Sequence, residues 1–172
     1  MHESMEASPF TQRNLKTISS YVQVLSPNRE EGKLKFPDPS LLADEISHRL
    51  LQNKKQVLLT MGSTLGYIDD VRHISNYSSG MLGRTVAEEL YRRGFRTTVL
   101  VGDSTYKPRV ANRLIQTLEN QTMLSQLNFL QQSEEFLGVL FLASVCDYVP
   151  EKRQNGKIRS HDPSLQLNLV KT

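Results

Sequence analysis

Residues 56–83 read QVLLTMGSTLGYIDDVRHISNYSSGMLG, and the order of residue types in this stretch decides the fold. Gln56 to Met61 (QVLLTM) is a short apolar run, the pattern of a strand buried on both faces. A long loop from Gly62 to Ser79 follows, and Ser79-Gly80 opens a helix. Leu82, Val86 and Leu90 recur there at helical spacing as the expected core stripe. Arg92 and Arg93 suit the negative end of the helix dipole, and Gly94 supplies the stop.

Downstream, Arg96 to Val101 (RTTVLV) reads as a second strand and Arg113 to Thr117 as a third. A helix from about Asn120 to Gln132 has Met123, Leu127 and Leu130 on one face. Gly138 to Val145 (GVLFLASV) is another strand, and Leu165 to Val170 (LQLNLV) alternates as a half-exposed strand should. Upstream, Asp38 suits an N-cap and Pro39 the first helical position. Leu42, Ile46, Arg49 and Leu50 then share a face of a helix running to about Gln52. Residues 1–38 are polar and rich in proline, and read as an arm or linker. An apolar patch at Tyr21, Val22, Val24 and Leu25 could form a strand or a docking segment. Strands alternating with helices predict an α/β fold: a doubly wound, Rossmann-like, mostly parallel sheet in three α/β/α layers, occupying residues 39–172. Ligands of such sheets sit beyond the carboxyl ends of the strands, where Gly62–Ser79 and Cys146–Ser160 should meet.

Composition narrows the function. The chain has 172 residues, 23% of them charged, and a formal net charge of +3. The cations are scattered among 18 acids, which argues against a nucleic-acid partner. No apolar run approaches the roughly 18 residues needed to span a bilayer, so no membrane partner is expected. A single cysteine, Cys146, excludes an intramolecular disulfide and makes the reducing cytoplasm the default compartment.

The first loop reads as an anion cradle. Gly62, Gly66 and Gly80 permit close approach to backbone N–H groups, while Ser63, Thr64, Ser78 and Ser79 add hydroxyls. It is neither the dinucleotide fingerprint nor a P-loop. Asn76 beside the helix start could close a turn, or could hold a carboxylate or a charge developing on an acyl group. Asp69, Asp70 and Arg72 read as a local salt-bridge set, and His73 lacks a partner for metal binding, so no protein metal site is expected. In the second loop Asp147 follows the strand end, where it can accept from a ribose hydroxyl or a base amine. Lys152, Arg153, Lys157 and Arg159 lie in a polar stretch that reads either as a solvated run or as a flap closing cations over a ligand. Cys146 has no partnered histidine and reads as packing.

Together the two loops resemble one family. VLLTMGSTLGYIDDVRHISNYSSGMLG is similar to the V-L-I-T-x-G-G-T-x-x-x-I-D-x-V-R-x-I-x-N-x-S-S-G-x-x-G signature of phosphopantothenate–cysteine ligases (phosphopantothenoylcysteine synthetases). ASVCDYVPEKRQNGKIRSHDPSLQLNLVKT is similar to that family's A-A-V-x-D-[YF]…K-I…L-x-L-V-K segment. EGKLKFPDPSLLADEI resembles the connector to the flavin decarboxylase of the bifunctional bacterial protein.

The resemblance implies that 4′-phosphopantothenate, activated by CTP with Mg²⁺ through an acyl-cytidylate, is joined to cysteine in a homodimer. It implies that Asn76 stabilises the intermediate, that Lys157 carries it onward, and that Asp147 contacts the nucleotide. It also lays the strand end at Phe141, Leu142 and Ala143 against the nucleotide. Two departures follow. Ser63 stands where the family has a second glycine, and the family continues for roughly sixty residues beyond Thr172 within an ordinary domain length. The competing readings are a non-catalytic ligase-like binding or regulatory subunit, and a Rossmann-type oxidoreductase. The latter is disfavoured by the absent G-x-G-x-x-G.

Overall fold

The structure, a computed structural model, describes all residues except 1, 2, 23, 26, 31, 32, 52, 160 and 162. The helix end expected near Gln52 and the flap end at Ser160 therefore lie outside the described residues. The chain divides into two compact units, Met1–Ile46 and Ser47–Thr172.

The first unit holds helices α1 (Glu3–Glu6) and α2 (Pro9–Ile18) and an antiparallel pair, β1 (Asn28–Glu30) and β2 (Lys33–Lys35). Arg29 pairs with Glu6 at 2.8 Å. Tyr21, Val22 and Val24 lie in no strand, and all are exposed. Helix α3 (Pro39–Leu51) begins as its sequence dictates: Asp38 Oδ1 accepts from the Ser40 N–H at 2.8 Å and from its hydroxyl at 2.7 Å. The expected apolar face of α3 is not buried, since Ile46 and Leu50 are exposed.

The second unit is built on a parallel sheet of β3 (Gln56–Met61), β6 (Arg96–Val101), β7 (Arg113–Gln116) and β8 (Gly138–Phe141), in the order β7-β6-β3-β8. Between β3 and β6 lie the antiparallel pair β4 (Leu65–Tyr67) and β5 (His73–Ser75) and helix α4 (Met81–Arg92). Helix α5 (Asn120–Ser133) connects β7 to β8, and β9 (Tyr148–Pro150) pairs antiparallel with β10 (Leu169–Lys171). Side chains alternate along β3. Val57, Leu59 and Met61 pack with Val99, Val101 and Ala87 of α4, whereas Leu58 packs with Leu100 and with Met123 and Leu130 of α5. Both faces of β3 are thus covered by helices, which is why it carries no polar face and why the fold is three-layered.

Four sequence expectations need correction. The stretch after β3 is not structureless, because β4 and β5 pair within it. The buried face of α4 is Gly83, Ala87, Glu88 and Tyr91, not Leu82, which is 65% exposed. A Cβ at Gly83 would collide with Met61, so only glycine permits this close helix–strand approach, and that contact turns Leu82 outward. Strand β8 ends at Phe141 rather than Val145. Beyond it the Leu142 N–H still reaches the Thr60 carbonyl at 3.1 Å and Ser144 still bridges Ser63, but as an isolated bridge and not a regular ladder, with the Thr60 hydroxyl 3.2 Å from the Leu142 and Ala143 N–H groups. The last strand is Leu169–Lys171, and Leu165 and Leu167 are exposed.

Candidate functional site

β3 lies between β6 and β8, so the chain leaves it in opposite directions on its two sides. The crevice beyond the carboxyl ends of β3 and β8 is therefore the switch point at which doubly wound sheets bind ligands. After β3 the chain bends at Gly62, at φ 76°, and then runs between its neighbours. The Ser63 N–H donates to the Asp103 carbonyl at 2.8 Å, and the Thr64 N–H donates to that of Ser144 at 3.2 Å. The Ser144 N–H returns to Gly62 at 2.7 Å. Ser63 and Thr64 are buried, and the Thr64 hydroxyl accepts the Cys146 N–H at 2.8 Å. Cys146, also buried, directs its thiol to the Thr64 carbonyl at 3.1 Å. The first loop and the strand-end loop are thereby tied edge to edge.

This tie spends several groups that the sequence offered to an anion. The N–H groups of Ser63 and Thr64 are engaged by protein carbonyls. Gly62 faces the Asp103 carbonyl, and Gly80, at φ 77°, leaves no space for a side chain beside Ser104. Ser78 is half-buried and Ser79 exposed where α4 begins, and the Ser79 hydroxyl accepts the Met81 N–H at 3.4 Å at that helix end. Its first-turn N–H groups are the donors in this loop best placed for an anion.

Asn76 joins the two loops from the other direction. It is exposed, and its side-chain amide donates to the Val145 carbonyl at 2.8 Å. Val145, Phe141 and Ala143 line a cavity of about 640 Å³ together with Thr60, Asn120 and Arg153. That volume lies within the range of about 300–1,000 Å³ typical of small-molecule sites. The Phe141 ring is 68% exposed, whereas Leu142 turns to the opposite face and packs against the α4 side of the core. Asp147 and Lys157 are exposed, and among the described residues no hydrogen bond joins either side chain to Asn76.

Asp69 and Asp70 do more than form a local salt-bridge set. Asp69 is fully buried and accepts from the N–H groups of Val71 at 2.8 Å, Arg72 at 2.7 Å and Ile158 at 3.0 Å, and from the Arg72 guanidinium. Burial pushes its pKa up, but these bonds to the ionised form outweigh burial and hold it at about 2. Asp70 accepts from Arg153 at 3.0 Å and from the Gly156 N–H at 2.9 Å. Sequence reading missed this bridge, because nothing local marks a contact between residues 89 positions apart. It also missed Asn120, whose amide donates to the Cys146 carbonyl at 2.7 Å and to the Thr172 hydroxyl at 2.9 Å. Among the described residues no cluster of three metal-ligating side chains occurs, and no helix is long and apolar enough to cross a membrane.

Residues 52–172 match the model of the DNA/pantothenate metabolism flavoprotein C-terminal domain. The chain belongs to this family. Over its full length it is 31% identical to the coenzyme A biosynthesis bifunctional protein CoaBC of Thermococcus kodakarensis, of which it covers 43%. It is 27% identical over 99% of its length to the CoaBC protein of Haemophilus influenzae, covering 45% of that protein. The chain thus spans about half the length of the curated relatives it matches. Its fold is similar to the crystal structure of the C-terminal domain of CoaBC, with a TM-score of 0.58 and 26% identity over 71% of this chain and 56% of that one. Membership in this family agrees with the ligase-domain resemblance carried by the loop motifs, and the two motifs that carry it lie on the two loops tied together at the switch point.

Proposed function

We propose that this chain forms the carboxylate-activating part of a phosphopantothenate–cysteine ligase of coenzyme A biosynthesis. The carboxylate of 4′-phosphopantothenate attacks the α-phosphate of CTP and pyrophosphate leaves. The amine of cysteine then attacks the acyl carbon, forming the amide and releasing CMP. The observation that carries the reading is the Asn76–Val145 hydrogen bond, which fixes an amide of the first loop against the strand end that lines the 640 Å³ cavity. Asn76 is assigned to the acyl-nucleotide, where a fixed amide stabilises charge as it develops. Phe141 and Ala143 are assigned to the nucleotide, and so is Asp147, whose exposed carboxylate suits a ribose hydroxyl or base amine. Leu142 acts by fixing the strand end from its core side. Ser78, Ser79 and Gly80 at the start of α4 are assigned to an anionic group of the substrate, while Gly62, Ser63 and Thr64 hold the frame. Lys157 is assigned to carrying the intermediate onward. Mg²⁺ fits as a companion of the triphosphate, because it is ordinarily held by one or two carboxylates together with substrate phosphates, and Asp147 offers an exposed carboxylate.

Titration of CTP and of ATP with Mg²⁺ tests the nucleotide site, beside Asn76→Ala and Lys157→Ala variants. Pyrophosphate release with phosphopantothenate then tests the chemistry. Saturable CTP binding weakened by Lys157→Ala, followed by pyrophosphate release that Asn76→Ala suppresses, supports the reading. A folded protein that binds nucleotide without turnover would make it a ligase-like binding subunit instead.

A further inference from the structure

Residues 151–159 are polar and mostly exposed, contain almost no regular structure, and carry Lys157. A solvated loop would be the ordinary outcome, yet this one is fastened to the β4–β5 turn at several points. The Gln154 N–H donates to the Ile68 carbonyl at 2.9 Å, the Gly156 N–H to Asp70 at 2.9 Å, and the Ile158 N–H to Asp69 at 3.0 Å. Arg72 donates to the Ile158 carbonyl at 3.3 Å. The Arg153 guanidinium pairs with Asp70 at 3.0 Å and lies over the Tyr67 ring, 4.7 Å from its centre. The residues on either side of Lys157 are therefore the ones whose backbone N–H groups the two acids hold.

The two attachments differ in kind. Asp69 is fully buried and is held by Val71 and Arg72 as well as by the Ile158 N–H, so releasing that N–H would leave one oxygen of a buried carboxylate with the Arg72 guanidinium as its remaining donor. The side chains of Asp70 and Arg153 are 51% and 48% exposed, a pair that water and salt readily weaken. We propose that Asp69 is a fixed anchor and Asp70 a releasable catch, and that together they are positioning residues setting where Lys157 stands. The role of Lys157 in this inference rests on the ligase reading; the latch itself does not.

The test reads the segment directly and uses the 172-residue chain. Trypsin cleavage after Arg153 and Lys157 and hydrogen exchange across 154–158 are measured for the unmodified chain, Asp70→Asn and Asp69→Asn. Asp70→Asn should raise cleavage and exchange about threefold, the change an exposed pair supports, while the melting temperature stays put. High salt should move the unmodified chain toward the same value. Asp69→Asn should expose the segment further, and Asp70→Asn keeps the test decisive should that variant fail to fold. Unchanged protection in Asp70→Asn overturns the latch. In the ligase assay Asp70→Asn should slow consumption of the acyl-nucleotide by cysteine without changing the KM for CTP, and Asp70→Glu should restore it. If cleavage rises in Asp70→Asn but the unmodified protein makes no acyl-nucleotide, the ligase reading fails and the latch stands. If acyl-nucleotide forms and Asp70→Asn consumes it at the unmodified rate, positioning of Lys157 is refuted.

Discussion

Thr64 and Cys146 hold each other reciprocally: the Thr64 hydroxyl accepts the Cys146 N–H at 2.8 Å, and the Cys146 thiol points to the Thr64 carbonyl at 3.1 Å. Both residues are buried, and they sit where the loops following β3 and β8 run side by side. Two short polar side chains thus reinforce the Thr64–Ser144 and Ser144–Gly62 backbone bonds in fixing the mutual position of the two loops, and the cavity lined by Ala143 and Val145 inherits that position.

Thr64→Val keeps the volume but removes the acceptor, leaving a buried N–H unpaired. It should destabilise the protein by about 1–3 kcal/mol, measured as a shift in the urea midpoint at unchanged slope. CTP binding should weaken at temperatures where the variant remains folded. A fully stable variant would mean that the loops are set by the neighbouring backbone bonds alone.

Asn76→Ala should behave in the opposite way. Asn76 is exposed, and its one side-chain bond to the Val145 carbonyl contributes little to folding, so the melting temperature should move only slightly. Pyrophosphate release with phosphopantothenate should nevertheless fall about 10²–10³-fold, the loss expected when a donor to developing charge is removed. Loss of stability with retained turnover would make Asn76 a structural clip.

The sheet was legible in the sequence for a physical reason. Strands β3 and β6 are covered on both faces, so all but the first residue of each is buried and those residues are apolar or β-branched, and Asn120–Ser133 keeps helical spacing because only one of its sides meets the sheet. The errors lie where tertiary contacts override local pattern. Leu82 has the right spacing for a core stripe, but the approach of Gly83 to Met61 rotates α4 away from it. The apolar run beyond Phe141 looks like continued strand, and it does go on running beside the chain from β3 through the Leu142–Thr60 and Ser144–Gly62 bonds, but as an isolated bridge and not a regular ladder. Asp69 and Asp70 read as partners of Arg72 because it is near in sequence, whereas Gly156 and Ile158 arrive from more than 80 residues away. Residue chemistry singled out Asn76 and the loop cations that include Lys157, and the family resemblance gave the two their roles; no periodicity could have done so.

Glu88 carries a prediction about stability away from the site. It is buried on α4, where it pairs with Arg84 at 3.0 Å and Arg92 at 3.3 Å, and accepts the Arg109 N–H at 2.9 Å. Burial raises its pKa, but the Arg109 N–H and the arginine charges outweigh burial and hold it below the ordinary glutamate value. Glu88→Gln preserves shape while removing the charge that these donors face, and should cost about 2 kcal/mol by thermal or chemical unfolding. A neutral outcome would show that the α4 contacts of Ala87 and Gly83 alone keep the helix in place.

Asp69 predicts the pH dependence. Its pKa of about 2 in the folded protein lies below the ordinary aspartate value near 4, so folding favours the ionised form. The stabilisation is therefore fully present above about pH 4, declines as pH falls through the interval between the two values, and is gone below about pH 2. Other carboxylates titrate in the same interval, so the informative quantity is the difference between the unmodified protein and Asp69→Asn. That difference should be constant from neutral pH to about pH 5 and should shrink steadily below about pH 4. Protection of the Ile158 amide should be lost over the same interval, because this N–H bonds the carboxylate oxygen directly. A difference that stays constant down to about pH 2 would mean that the Asp69 bonds serve its shape and not its charge, and that the anchor works equally well with an uncharged acceptor.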